Sequence, residues 1–323
     1  MVPLTLPENT NKNLVLGLAK RYSFEQIKPF LVSLRSSGFT GDICLLISDL
    51  SLETQKLIQE YDVQLIPFPE VYLKLPLQKP FDAVYPYHLL QRLPIFGQVI
   101  PKLLNQLTLK TGEKQKLIQS VWMQFLLDMC CARFLTYYIY LRQQNQVYKN
   151  ILLTDVRDVL FQRNPFDFDI DNRLCCFLED SHQTLGSCPI NSAWMTQAFG
   201  AQILDKLGHQ TISCAGVTIG SYSAVMNYLE LMIDYLIPLG LRVKSIDQGI
   251  HNYLIYMGFI PDLQLFKNQQ GPVLTMGYLP EKELRFNQDG WLLNQDGSVS
   301  HILHQYDRHS QEIQAKLLAK VMA

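Results

Sequence analysis

Short apolar runs alternate with amphipathic stretches through the first seventy residues. Asn13–Ala19, Ile43–Ile47 and Val63–Pro67 are uncharged and rich in aliphatic side chains, the pattern of strands buried on both faces. Between the first two, Phe24, Ile27, Phe30, Leu31 and Leu34 recur at helical spacing and predict a helix over 24–36, with Ser23 ahead of it and Gly38 and Gly41 beyond. A second helix is expected over 52–60. Strand–helix–strand–helix–strand within so short a span predicts a parallel sheet covered by helices, an α/β fold.

The pattern breaks over residues 70–120, where prolines at 76, 80, 86, 94 and 101 interrupt any long helix. Tyr85, Tyr87, Leu89, Leu90, Ile95 and Phe96 make this stretch apolar and aromatic. It is expected to be an insertion packed over the sheet, with peripheral membrane contact through 84–101 as the alternative. Periodicity then resumes as one long helix over 116–142, with Trp122 and Phe125 in the core and Arg133 as a lone cation on the apolar stripe. A charge there needs a partner, and the acids just downstream are the natural candidates. Ile151–Leu153, Leu174–Leu178 and Ile212–Gly220 read as further strands. Helices are expected over 191–207, 221–236 and from Asp247, with Ser221 or Ser223 and Asp247 as N-caps. Asn294–Val299 predicts a hairpin turning at Asp296-Gly297, and a short helix closes the chain over 310–323. The whole of 1–323 reads as a single domain.

Composition narrows the function. The 323 residues are 48% hydrophobic, enough for a sizeable core. A formal net charge of −1 gives no global attraction to nucleic acid or anionic membranes. No basic leader followed by an apolar run begins the chain, and no uncharged run is long enough for a bilayer, so a cytoplasmic location is expected. Seven cysteines without Cys-x-x-Cys spacing suggest buried free thiols rather than a zinc site or a disulfide framework. Neither a Gly-x-Gly-x-x-Gly nor a Walker sequence is present, which argues against a nicotinamide dehydrogenase and a P-loop NTPase.

The candidate chemistry gathers at strand ends. Asp155 and Asp158 follow the buried run 151–153, where open α/β sheets bind ligands, and two hard oxygen ligands suit Mg²⁺ or Mn²⁺. His304 follows a small strand and can complete such a site. Glu179 and Asp180 end the strand 174–178, and Gly216 allows close approach to its backbone. Lys20, Arg21 and Tyr22 close the first strand, where they present cations and a ring to a nucleotide or simply solvated charge. Three alternating acids, Asp167, Asp169 and Asp171, lack the glycine and distal glutamate of a calcium loop and read as surface.

Taken together, these segments resemble nucleotide-sugar-dependent glycosyltransferases of the GT-A fold. Thr154-Asp-Val-Arg-Asp158 stands in the place of the family's Asp-x-Asp motif. Cys214-Ala-Gly-Val-Thr-Ile-Gly220 resembles its Ala-Gly segment, and Asp247-Gln-Gly-Ile-His-Asn252 its Asp-Gln helix start. His304-Gln-Tyr-Asp-Arg308 falls where the family supplies a C-terminal histidine. The resemblance implies a Rossmann-like, mostly parallel sheet, a UDP- or GDP-sugar donor and a glycan, lipid or small-molecule acceptor. It implies metal ligation by Asp155, Asp158 and His304, and donor binding by Ala19, Lys20, Tyr22, Arg133, Thr154, Asp155, Gly216, Gln248 and Arg308. Glu179, Asp180 and Asp247 are the implied catalytic acids. One departure stands out: the acids are three apart, not two, so they share a face only if the chain turns there. Whether both or one would hold metal is left open. The competing readings are a metal-dependent phosphoester hydrolase, a non-catalytic sugar-nucleotide or glycan-binding relative, and a scaffold protein in which the insertion does the work.

Overall fold

A computed structural model describes residues 11–68 and 112–322, together with the backbone of the two-residue strands Glu8–Asn9, Leu73–Lys74 and Ala83–Val84. Most of the 70–120 insertion, including the 84–101 stretch beyond Val84, lies outside the described residues.

A seven-stranded sheet organises the chain. Its strands are β1 (Leu14–Lys20), β2 (Asp42–Ser48), β3 (Val63–Pro67), β4 (Asn150–Thr154), β6 (Leu174–Leu178), β7 (Ser213–Ser221) and β8 (Leu263–Phe266), in the spatial order β8-β6-β7-β4-β1-β2-β3. The β1, β2, β3 and β4 ladders are parallel, as is β6 with β8. Strand β7 runs antiparallel to both of its neighbours. The sheet is therefore mixed: the ladders on both sides of β7 are parallel, as expected, and β7 alone runs against its neighbours. A smaller sheet sets β5 (Val159–Phe161), β9 (Val273–Thr275) and β10 (Ile302–His304) side by side in the order β9-β10-β5.

Helices cover both faces. On one lie α1 (Phe24–Ser36) and α2 (Leu52–Gln59), which bury Ile27, Phe30, Leu31, Leu34 and Ile58 against the sheet. Helix α1 starts with the capping box its sequence signals, Ser23 with Gln26. On the other face lie α3 (Glu113–Met123), α4 (Met129–Gln143), α7 (Tyr222–Leu239) and α8 (Asp247–Tyr256), around Phe134, Tyr137, Tyr138, Tyr228 and Leu236. Two short helices, α5 (Pro189–Phe199) and α6 (Ala201–Leu207), and the terminal α9 (Gln311–Met322) complete the α-helices of the described residues. No helix among the described residues is long and apolar enough to cross a membrane.

Three sequence-based expectations are corrected. The helix over 116–142 is two helices, because Asp128 caps a new start: its Oδ1 accepts the N–H groups of Cys130 and Cys131. Trp122 stands exposed at 61% rather than in the core. The helix over 191–207 breaks at Gly200, which adopts φ 86°, a conformation open to glycine and costly to others. The expected surface acids Asp169 and Asp171 do lie outside, each paired with Arg173. All seven cysteines are free, and all but Cys130 are buried.

Candidate functional site

The turn after β4 decides the geometry. Strand β4 ends at Thr154, whose hydroxyl donates to Asp155 O, and the Asp155 N–H still bonds across to Gly216 O of β7 at 2.7 Å. The chain then bends through Val156 and Arg157 and re-enters a strand at Val159. This bend places the i and i+3 carboxylates on one side. The far end of the bend is pinned by the Gln305 N–H, which donates to Asp158 O at 2.8 Å.

His304 arrives from β10. Its Nε2 lies 3.6 Å from Asp155 Oδ2 and 3.9 Å from Asp158 Oδ2. Ligand atoms from Asp155, Asp158 and His304 all lie within 4.8 Å of one another. The imidazole is 1% exposed, and neither ring nitrogen makes a hydrogen bond among the described residues. A buried imidazole without a hydrogen bond, within ion-pair reach of two carboxylates, is a donor set that fits a divalent cation. Gly216 makes room for it: a Cβ there would sit 2.5 Å from Asp155 Oδ2 and 2.8 Å from His304 Nε2.

Burial opposes charge on every member of this group, and the neighbours decide the outcome. For Asp155, burial is overcome by the Arg133 guanidinium and His304, and its carboxyl titrates well below the usual range. For Asp158, burial and the adjacent Asp155 outweigh His304 and push the carboxyl up. Burial would lower His304, but Cys214, Asp155 and Asp158 hold it above the ordinary imidazole value.

Arg133 sits between two acids. Its Nη1 is 2.5 Å from Asp155 Oδ1, and its Nη2 is 3.1 Å from Asp247 Oδ2. The expected partner of the lone cation is thus found among the downstream acids, with a second that the spacing did not suggest. Asp128 makes this meeting possible: its Oδ2 accepts the N–H of Ser245, tying the start of α4 to the loop before α8. Asp247 is not the N-cap of α8. Ile246 occupies that position, and Asp247 is the first helical residue with its carboxylate turned to Arg133. Burial raises its pKa and Arg133 offsets part of that rise.

A cavity of about 340 Å³ opens beside the cluster. Arg133, Asp155, Glu179, Gly216, Asp247, Gln248, Gln305 and Arg308 are among its lining residues. Of the two acids at the end of β6, Glu179 is on the cavity wall, with one carboxylate oxygen lacking a hydrogen-bond partner. Burial raises its pKa. Asp180 turns instead to His182, accepting its N–H at 2.9 Å and pairing with its ring. Gln248 lines the cavity with its amide already engaged: Oε1 accepts from Ala215 N and Nε2 donates to Ser213 O. Ala19 is fully buried in the core, and Lys20 pairs in register with Ser48 at the end of β1. Tyr22 stands nearer the acids, its ring 6.0 Å from the Arg157 guanidinium carbon, while Arg157 itself pairs with Asp307.

Other lining residues escape sequence reasoning. Gln305 adopts φ 62° and packs its Oε1 so close to Gly277 that a Cβ there would come within 2.0 Å. Cys188, Asn191 and Tyr278 also face the cavity, and nothing in their local spacing marks them.

No family model matches the chain, and no curated protein does. Among solved structures it is similar to the glycosyltransferase GlyE of Streptococcus pneumoniae TIGR4, with a TM-score of 0.46 and 14% identity. That match covers 97% of this chain and 61% of the other, so the chain spans less than two thirds of that protein's length. It is a distant likeness of overall architecture and carries no functional weight.

Proposed function

We propose that the chain is a GT-A glycosyltransferase that moves a sugar from a nucleoside-diphosphate sugar to an acceptor hydroxyl, with a divalent cation at Asp155, Asp158 and His304. The observation that carries this is the buried His304 ring, without hydrogen bonds, facing two carboxylates at a strand end beside a polar cavity. A bound Mg²⁺ or Mn²⁺ would supply Lewis-acid neutralisation of the departing diphosphate.

In this reading the residues divide their work. Arg133 has both terminal nitrogens committed to carboxylates, so it orients Asp155 rather than gripping phosphate. Asp247 holds Arg133 in turn. Arg308 is the cavity cation best placed for a phosphate oxygen, since no carboxylate pairs with it among the described residues. Glu179, pushed up by burial and carrying an unpartnered oxygen, is the acid left to meet the sugar or the incoming hydroxyl. Tyr22 and the end of β1 form the side on which the base would rest. The whole chain is read as one such domain.

Thermal melting with UDP-, GDP- and dTDP-sugars, each with and without Mn²⁺, tests the proposal. One nucleotide class should stabilise the protein only when Mn²⁺ is present, by about 2.7 kcal/mol at a hundredfold excess over Kd. The Asp155→Asn variant should lose that response. Metal-dependent phosphate release from simple esters would favour the hydrolase instead. Metal-linked nucleotide binding with no turnover on any acceptor would favour a binding protein.

A further inference from the structure

We infer that Cys188 and Asn191 form a hydroxyl-accepting corner of the cavity, in which the thiol orients the amide so that its carbonyl oxygen, together with Glu179, receives O–H donors of the transferred ring. This rests on the transferase reading and deepens it. It names the substrate as a sugar whose ring hydroxyls are free at this end, and it makes Asn191 a specificity-determining residue.

Cys188 is the N-cap of α5, and Asn191 lies three residues on, so both face the cavity from the first turn. Asn191 Nδ2 donates to Cys188 Sγ at 3.2 Å, and the Tyr278 hydroxyl lies 3.6 Å from the same sulfur. These contacts, with the backbone N–H groups of Ile190 and Asn191, outweigh burial and hold the thiol below its ordinary pKa. One amide N–H is therefore engaged by sulfur, which fixes the orientation of the amide, and Oδ1 has no partner among the described residues although the residue is only 6% exposed. Glu179, 4% exposed on the same cavity, likewise leaves Oε2 without one. Buried acceptors left unsatisfied are costly and call for donors. A phosphate or carboxylate brings only acceptors and negative charge. A hydroxylated ring brings O–H groups, and its C–H face can rest on apolar surface such as the nearby Ile190 and Trp194.

The test compares dissociation constants for UDP with UDP-glucose, for GDP with GDP-mannose and for dTDP with dTDP-glucose, all with Mn²⁺. In Asn191→Leu, the ratio of the sugar-bearing to the bare nucleotide constant should rise about three- to tenfold, as for one lost hydrogen bond, with the bare nucleotide constant unchanged. Asn191→Asp keeps an acceptor oxygen and should hold the ratio within about twofold of the parent. Cys188→Ala should raise the ratio as Asn191→Leu does, and Cys188→Ser, whose hydroxyl still accepts from Nδ2, should restore it. An unchanged ratio in Asn191→Leu, or equal weakening of bare and sugar-bearing nucleotides, overturns the assignment while leaving the transferase reading intact. Failure of UDP, GDP and dTDP alike to bind with Mn²⁺ overturns the reading and this inference together.

Discussion

Two fully buried histidines approach strand β7 three residues apart, and they could hardly be treated more differently. His251, on α8, meets Ser213 Oγ with Nε2 at 2.9 Å and the Tyr228 hydroxyl with Nδ1 at 2.8 Å. No carboxylate faces it, and burial, with Arg133 adding to it, pushes its pKa down to about 3. His304, on β10, stands against Gly216 with both nitrogens lacking hydrogen bonds and two carboxylates before it. Burial is common to both, so burial is not what marks a functional histidine. The difference lies in the ring's bonding: the fold hydrogen-bonds both nitrogens of His251, while His304 meets the carboxylates at 3.6 and 3.9 Å.

The contrast can be broken by exchanging the two effects. His304→Ala should cut metal-dependent sugar transfer by about 100-fold or more, while metal-free stability, followed by urea unfolding, changes little. His251→Leu should do the reverse. It strands the Tyr228 hydroxyl in the core, leaves Ser213 Oγ only its bond to Phe177 O, and should cost roughly 1–3 kcal/mol in the same urea titration, with turnover per folded molecule unchanged. A catalytic loss in the second variant without a stability loss would erase the distinction.

The smallest effect is in the pH dependence of stability. The folded pKa of His251, at about 3, lies below the ordinary 6.5 of the unfolded chain. Between these values the unfolded chain binds a proton that the native state refuses. The stability His251 provides is fully present above about pH 6.5 and is lost as pH falls toward 3, at up to about 1.4 kcal/mol per pH unit. Urea midpoints between pH 7 and 4.5 should therefore fall more steeply in the parent than in His251→Leu. Parallel curves would show that His251 carries a charge in the native state after all.

Much of the frame was legible in the sequence. The first three strands, α1 and the start of α7 follow from local pattern, because an element buried on one side advertises its period. Breaks inside long apolar stretches were not legible. Asp128 and Gly200 divide helices whose hydrophobic spacing runs straight through them, since a cap or a left-handed residue outweighs periodicity over a turn. In the site, Asp155, Asp158 and His304 were picked out by position at strand ends, and the fold brings them together. Asp180 was picked by the same logic and faces His182 instead, because alternate residues beyond a strand point opposite ways. Cys188, Asn191 and Gln305 carried no local signal at all.

Local sequence sets the α/β alternation, the apolar strands and the identity of the acids that end them, because those depend on neighbours a few residues away. The assembled fold settled that β7 runs against its neighbours and that the 155–158 bend gathers two carboxylates on one side. It also decided that Arg133 lies between Asp155 and Asp247, and which buried oxygens and nitrogens remain unsatisfied. Those outcomes depend on groups well separated in the chain, 114 residues in the case of Arg133 and Asp247, meeting in a space that excludes water, and no local pattern records that meeting.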